Sequence, residues 1–257
     1  MQTSENILIE LVDVDAGYNG KAVLTSVNFK ICKHDFIGVI GPNGGGKTTL
    51  VKVILGLLKT KKGKLLNHLQ TSENDGQIGY LPQINNIDRT FPISVKDVVL
   101  SGFMKQRGMF QRFSRLQTEK ANSLMEEMGV SHLAKKPFGE LSGGQMQRTL
   151  LCRSIISSPQ LLILDEPNTF VDNKFEGELY EKLRELNKTM AIVIVSHDVG
   201  MISSYVKTIA CVNNKLHYHK SNIITESQLK DYNCPIQLIT HGHIPHTVLD
   251  IHEHKHD

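Results

Sequence analysis

Apolar and polar residues alternate from Ile7 to Val14, with Ile7, Ile9 and Leu11 apolar and Glu10 and Asp13 polar, the two-residue period of a half-buried strand. Val27 to Ile31 and Phe36 to Ile40 are short β-rich runs. The period then lengthens. Leu50, Val51, Ile54, Leu55 and Leu58 make one apolar face of a helix expected over Lys47 to Leu58. Gln77 to Leu81 reads as another strand. The stretch from Ser94 to about Ser157 is mostly helical in pattern, with Ala121, Leu124, Met125 and Met128 at helical spacing. Strands and helices alternate again from Leu161: a strand to Leu164, a helix near Phe175 to Asn187, a strand from Ala191 to Val195. Such alternation predicts an α/β fold with parallel strands and helical crossovers, into which the middle third inserts a helical portion. The expected organisation is one domain over residues 7–233, its helical subdomain at about 94–157, and a tail over 234–257. The longest apolar runs, Leu161–Leu164 and Met190–Val195, are strand-sized and too short to span a membrane.

Composition narrows the class. Lys and Arg number 29 against 26 Asp and Glu, a net charge of +3 in 257 residues, which argues against the concentrated basic surface of a nucleic-acid binder. The four cysteines, Cys32, Cys152, Cys211 and Cys234, form no CxxC pair and read as reduced thiols of a cytosolic protein. The first ten residues lack the basic and apolar regions of a secretion signal.

The chemistry starts at Gly41-Pro42-Asn43-Gly44-Gly45-Gly46-Lys47-Thr48, which fits the phosphate-binding loop GxxxxGK[ST]. A strand ending at Ile40 leads into it and a helix near Lys47 leads out. Glycines let successive backbone N–H groups face one anion, and the helix adds the positive end of its dipole. Lys47 supplies charge for the β- and γ-phosphates, the Thr48 hydroxyl reaches Mg²⁺, and Thr49 completes the nucleotide-binding segment. Leu161-Leu162-Ile163-Leu164 then reads as a buried strand presenting Asp165 and Glu166 at its end. Asp165 suits Mg²⁺, and Glu166 is placed to polarise an attacking water.

Between these motifs lies Leu141-Ser142-Gly143-Gly144-Gln145, followed by Met146-Gln147-Arg148. In this order the three pieces resemble the ATP-binding subunit of ABC transporters, over nearly the whole chain. The resemblance implies a P-loop NTPase core with an antiparallel β subdomain and an inserted α-helical subdomain. It implies that Tyr18 stacks on adenine, that Gln83 senses Mg²⁺ and couples to a membrane subunit, that Asp172 belongs to a loop crossing a dimer interface, and that His197 meets the γ-phosphate. It also implies a homodimer in which Ser142, Gly143, Gly144 and Gln145 of one chain face the ATP of the other. Lys47, Glu166 and His197 then carry catalysis, with ATP and Mg²⁺ bound. The partners implied are permease subunits and an extracytoplasmic metal-binding protein, with this chain at the cytoplasmic face of the membrane and no nucleic acid.

Ile78-Gly79-Tyr80-Leu81-Pro82-Gln83, Ile87-Asp88, Phe91-Pro92-Ile93-Ser94-Val95 and Asn168-Thr169-Phe170-Val171-Asp172 resemble the zinc/manganese-type import ATPases. Zinc is therefore the first expectation for cargo, with manganese and iron as alternatives. His241, His243, His246, His252, His254 and His256 make the tail rich in imidazole, a good zinc ligand, and Cys234 could join them. Lys105, Arg107, Arg112 and Arg115, interleaved with Phe103, Phe110 and Phe113, form a solvated face or a contact with a membrane subunit or lipid headgroups. Two other readings stay open: a soluble ABC ATPase acting on ribosomes or DNA, and a metal buffer whose working part is the tail.

Overall fold

The computed structural model describes residues 6–69, 78–83, 90–106, 112–167, 173–197, 199–219, 221–222, 236–241 and 244–249. The chain divides into two compact units, one made of Met1–Leu8, Cys32–His34 and His68–Val193, the other of Ile9–Ile31, Asp35–Asn67 and Ile194–Asp257.

In the second unit, β1 (Ile7–Ala16, all but its first two residues) lies between β2 (Leu24–Cys32) and β4 (Lys62–Asn67). β1 and β4 are antiparallel, with Leu11 opposite Leu65. The alternation read in the sequence holds only from Ile9 to Leu11, since Leu8 is buried as well as Ile9. After Leu11 the pattern slips, and the next buried residues are Val14 and Ala16. The cause is a bulge between Val12 and Asp15, where Asp13 has a φ of +49°. β4 was not expected, because five of its six residues are exposed and it has no apolar period.

The same unit holds β3 (Phe36–Ile40), β8 (Thr208–Asn213) and β9 (Lys215–His219), in that order. β3 and β8 are parallel; β8 and β9 form an antiparallel hairpin turning at Asn214, whose φ is +57°. All five residues of β3 are buried. Helix α1 (Lys47–Ile54) follows it and is shorter than its apolar face suggests. Gly56, with a φ of +71°, stops it: the Gly56 N–H donates to Val53 O at 2.9 Å and the Leu57 N–H to Lys52 O at 2.8 Å. These are the two bonds of a left-handed helix cap, and they leave Leu57 exposed beyond the helix. In the tail, β10 (Ile236–His241) pairs antiparallel with β11 (Ile244–Leu249). It is a hairpin where composition suggested only a histidine-rich segment.

The first unit orders β5 (Ile78–Leu81), β6 (Leu161–Asp165) and β7 (Ala191–Val195, its first three residues) side by side, β5 and β6 parallel with Gly79 opposite Leu162. Its helices are α2 (Val95–Leu100), α3 (Arg115–Glu127), α4 (Gly143–Ile155) and α5 (Asn173–Leu186), with 3-10 turns at Ser101–Gln106, Ser131–Leu133 and Phe138–Glu140. The helical middle third is thus as expected. Ser94 and Ser114 cap α2 and α3 by accepting N–H bonds from Asp97 and Gln117. Ala121 and Met125 of α3 are buried, as is Met128 just past its end. Lys182 of α5 joins the two helices by bridging to Glu127.

α4 presses directly on β5. A Cβ at Gly79 would stand 2.1 Å from the Ser154 carbonyl oxygen, inside any allowed contact. Gly79→Ala should therefore lower stability by about 1–3 kcal/mol, since backbone must move to admit the methyl. Gly177→Ala in α5, where nothing lies within 4 Å of the added Cβ, should raise it by ~1 kcal/mol. Denaturant unfolding of both variants checks the pair; equal effects would contradict the close α4–β5 packing.

Candidate functional site

The phosphate loop lies in the second unit. Gly41, Gly44 and Gly46 have φ of +149°, +77° and +109°, which is left-handed backbone that favours glycine. The loop also packs too closely for side chains: a Cβ at Gly41 would meet Val212 O at 2.0 Å, and one at Gly46 would meet Leu24 Cδ2 at 2.6 Å. The Asn214 N–H ties the loop to β8 by donating to Gly45 O at 2.9 Å. Lys47 is only 7% exposed, and its ammonium donates to Gly41 O at 2.8 Å and Pro42 O at 3.0 Å. α1 starts at Gly46 with no capping side chain and no acidic residue in its first turn. A buried cation resting on neutral carbonyls beside an uncapped helix start is a donor set that fits a polyphosphate. Asn43, Gly44 and Thr48 are exposed, Pro42 half-buried, and Gly45 and Thr49 buried.

Tyr18 follows β1 and is 41% exposed, with the Lys52 ammonium of α1 5.5 Å from its ring centroid. That cation–π contact was missed from the sequence, since nothing there shows α1 approaching the turn after β1. His197, two residues past β7, is exposed, and its neighbour Ser196 is buried with its N–H donating to Val39 O at 3.1 Å.

The acidic residues lie in the first unit. All of β6 is buried, Asp165 included at 6% exposure. Glu166 turns out of the strand with a φ of +50°, strained for a residue with a Cβ. Its carboxylate accepts a 2.6 Å hydrogen bond from Nε2 of Gln83. The structure therefore joins two residues that the sequence reading listed for separate roles. It also adds a third. The Tyr80 hydroxyl of β5 donates to Asp165 Oδ2 at 3.5 Å. Burial first, then the Asp165 charge and the hydrogen bond, push the Tyr80 phenol up to about 12. The signal lay in the register: β5 ends beside β6, so residues near the two ends are neighbours. Oxygen donors at Thr48, Gln83 and Asp165 are the chemistry Mg²⁺ prefers.

Ser142 is the N-cap of α4. Its Oγ accepts the Gln145 N–H at 3.4 Å, while the Gln145 side chain accepts the Ser142 N–H at 3.1 Å. This reciprocal box explains Ser142 and Gln145 locally, and S-x-x-Q in the sequence signals it. Ser142 is exposed, and its hydroxyl hydrogen remains available to donate outward. Gly143 and Gly144 open the helix beside it.

Asp172 lies outside the described residues, as do Ile87, Asp88, Arg107, Phe110, Cys234, His243, His252, His254, His256 and the segment 168–171. His241 and His246 are in β10 and β11. Among the described residues, no group of three or more His, Cys, Asp or Glu is placed to hold a metal ion, and no helix is long and apolar enough to cross a membrane. A groove of about 680 Å³, lined by Lys120, Leu124, Ile155, Pro159 and Met190 among others, contains none of the site residues.

The sequence profile of the ABC transporter family matches residues 24–169. The zinc uptake system ATP-binding protein ZurA of Listeria monocytogenes is 36% identical over 220 residues, spanning 83% of this chain and 86% of that one. The zinc import ATP-binding protein ZnuC of Pseudomonas aeruginosa is 35% identical over 215 residues, 81% of this chain and 72% of that one. Among solved structures, an inward-facing ABC transporter assigned to the metal-chelate type is 26% identical, with a TM-score of 0.80, covering 96% of this chain and 98% of its own.

Tyr80 also makes stability depend on pH. An unfolded tyrosine ionises near 10, whereas the folded one holds its proton to about 12, so folding loses stability as pH rises through that window. Tyr80→Phe should lose less stability than the wild type between those two pH values in denaturant titrations. Identical losses would refute the raised phenol.

Proposed function

The chain belongs to the ABC transporter ATP-binding family, and from that premise we propose that it is the ATP-hydrolysing subunit of an importer of divalent metal ions, zinc first. Members of this family hydrolyse ATP to drive transport. Support for the cargo comes above all from relatives named for zinc uptake and import that match more than four-fifths of the chain.

In the proposed mechanism, N–H groups of Gly44 to Thr49 and the start of α1 hold the phosphates. Lys47 leaves the carbonyls of Gly41 and Pro42 for the β- and γ-phosphates. Tyr18 stacks on adenine, and Lys52 steadies its ring from one face. Thr48, Gln83 and Asp165 would hold Mg²⁺, which supplies charge neutralisation at the phosphates. Glu166 takes a proton from the attacking water once Gln83 releases its carboxylate. His197 contacts the γ-phosphate. Ser142, Gly143 and Gly144 face the nucleotide of a second copy, the Ser142 hydroxyl donating and the bare glycines allowing close approach; Asp172 sits at that interface. Two membrane subunits and an extracytoplasmic metal-binding protein complete the system, with this chain peripheral at the cytoplasmic face.

Reconstitution with the membrane subunits in liposomes tests this. ATP should drive accumulation of radiolabelled zinc, and Glu166→Gln should cut hydrolysis by ~10²–10⁴ while ATP stays bound. Undiminished turnover in that variant would remove Glu166 from the role. Uptake of manganese or iron in place of zinc would reassign the cargo.

We propose further that tail histidines, His241, His243, His246, His252, His254 and His256, hold zinc. The hairpin register supports it: His246 pairs with Ile239, two residues before His241, so the two histidines are near neighbours along the β10–β11 ribbon. Replacing both by alanine should weaken zinc binding in equilibrium dialysis and leave ATP hydrolysis intact. Unaltered zinc binding would exclude the pair.

A further inference from the structure

Gln147 lies on α4 just past the Ser142–Gln145 box. It is 1% exposed, and neither the nitrogen nor the oxygen of its amide has a hydrogen-bond partner. Buried amides almost always find partners, because a dry donor and acceptor lose their bonds to water with nothing in return. The neighbourhood shows why this one is placed so. Helical spacing puts Gln147, Leu151 and Ser154 on one face of α4, and the Ser154 carbonyl is the atom pressed on Gly79 of β5. α4 leads into β6, whose first residue Leu161 stands opposite Ile78, the first residue of β5. α4 therefore runs antiparallel to β5. From Ser154 back to Gln147 is ~10 Å along the helix, and three strand residues cover the same distance. Counting from Gly79, that reaches Pro82. Gln147 is thus level with the residue that precedes Gln83, whose amide holds Glu166 at 2.6 Å.

The last turn of α4 is held twice by backbone contact. Ser154 O meets Gly79, and a Cβ at Gly102 would stand 2.2 Å from Arg153 O. No such clamp is present near Gln147 among the described glycines. The last turn of α4 is thus fixed to its neighbours at two backbone points.

We propose that Gln147 is a positioning residue for ATP hydrolysis: when the Ser142 end of α4 swings, the Gln147 amide hydrogen-bonds to the backbone at Pro82–Gln83 and draws Gln83 off Glu166. This rests on Glu166 as the base and deepens that reading. A hydrogen bond made by the Gln147 amide offsets its loss of water and so stabilises the displaced Gln83 once α4 has moved. One rigid helix then links the Ser142–Gly144 turn, which faces the partner's nucleotide in the proposed dimer, to the base within its own chain.

Gln147→Met keeps the side chain's size and removes both polar atoms. In the complex reconstituted with its membrane subunits, kcat should fall about 10- to 100-fold, the scale of a misplaced catalytic group, with the KM for ATP unchanged. The melting midpoint should not fall, because no hydrogen bond of the resting chain is lost. Gln83→Ala combined with Gln147→Met should be no slower than Gln83→Ala alone. An unchanged kcat, an additive double variant or a lowered midpoint would each overturn the proposal. Glu166→Gln in the same assay separates the two readings. If it still turns over, the base assignment fails; if it is inert while Gln147→Met is fully active, only the role of Gln147 fails.

Discussion

Everything chemical in this chain follows from strands that are dry along their whole length. Each residue of β3, β6 and β7 is buried. Such a strand satisfies its backbone within a sheet and has no room for a solvated polar side chain, so polar groups appear where the strand stops. Gly41 follows Ile40, Asp165 closes β6 with Glu166 after it, and Ser196 and His197 follow Val195. Asp165 is the one charged side chain in these three strands, and it stands at the last position with a tyrosine hydroxyl beside it. Ligand chemistry at the carboxyl ends of parallel strands is the general expectation for α/β sheets. Here it results from a burial constraint acting on each strand separately.

Two helix starts show how the same backbone problem is solved for different ends. A helix begins with N–H groups that have no partner inside it. In α4 the Ser142 hydroxyl oxygen accepts the Gln145 N–H, a cap worth ~1 kcal/mol in stability. α1 begins on a left-handed glycine with nothing to cap it. The left-handed backbone and the nearby Leu24 side chain leave room only for glycine there, so the first N–H groups of α1 meet no side-chain oxygen. α1 thus starts without a side-chain cap, whereas α4 carries its own.

Much of this was legible in the sequence because it is local. Phe36–Ile40, Leu161–Leu164 and Ala191–Val195 are continuous apolar runs, and each is a strand with bounds close to those expected. The phosphate loop is a contiguous string whose glycines are needed for backbone reasons. What escaped depended on partners distant in sequence or on single backbone angles. β4 shows no pattern because its side chains face water. The helix after the loop was read as running to Leu58, because apolar spacing continues past the point where Gly56 turns left-handed. Tyr80 beside Asp165, Lys52 over Tyr18, and Gln83 against Glu166 are contacts between residues 34 to 85 positions apart, set by register and helix placement, which no motif spells out.

The Gln83–Glu166 bond carries a tension that bears on regulation. Glu166 sits in a left-handed backbone that costs about 1–2 kcal/mol. A hydrogen bond to a charged acceptor contributes about 1.5–3 kcal/mol when protected from water, and less at this half-buried carboxylate. The two terms are similar, so the bond from Gln83 is a fair account of why Glu166 tolerates its strained backbone. The same bond occupies an oxygen that, under the proposed assignment, must accept a proton from water. Fold and turnover therefore compete for one atom. A subunit that hydrolysed ATP without its partners would waste it; one whose base is held by its own structural hydrogen bond stays quiet until something displaces Gln83. The balance is close enough that a few new contacts near the end of β5 would tip it, which is the scale of change that docking a partner supplies.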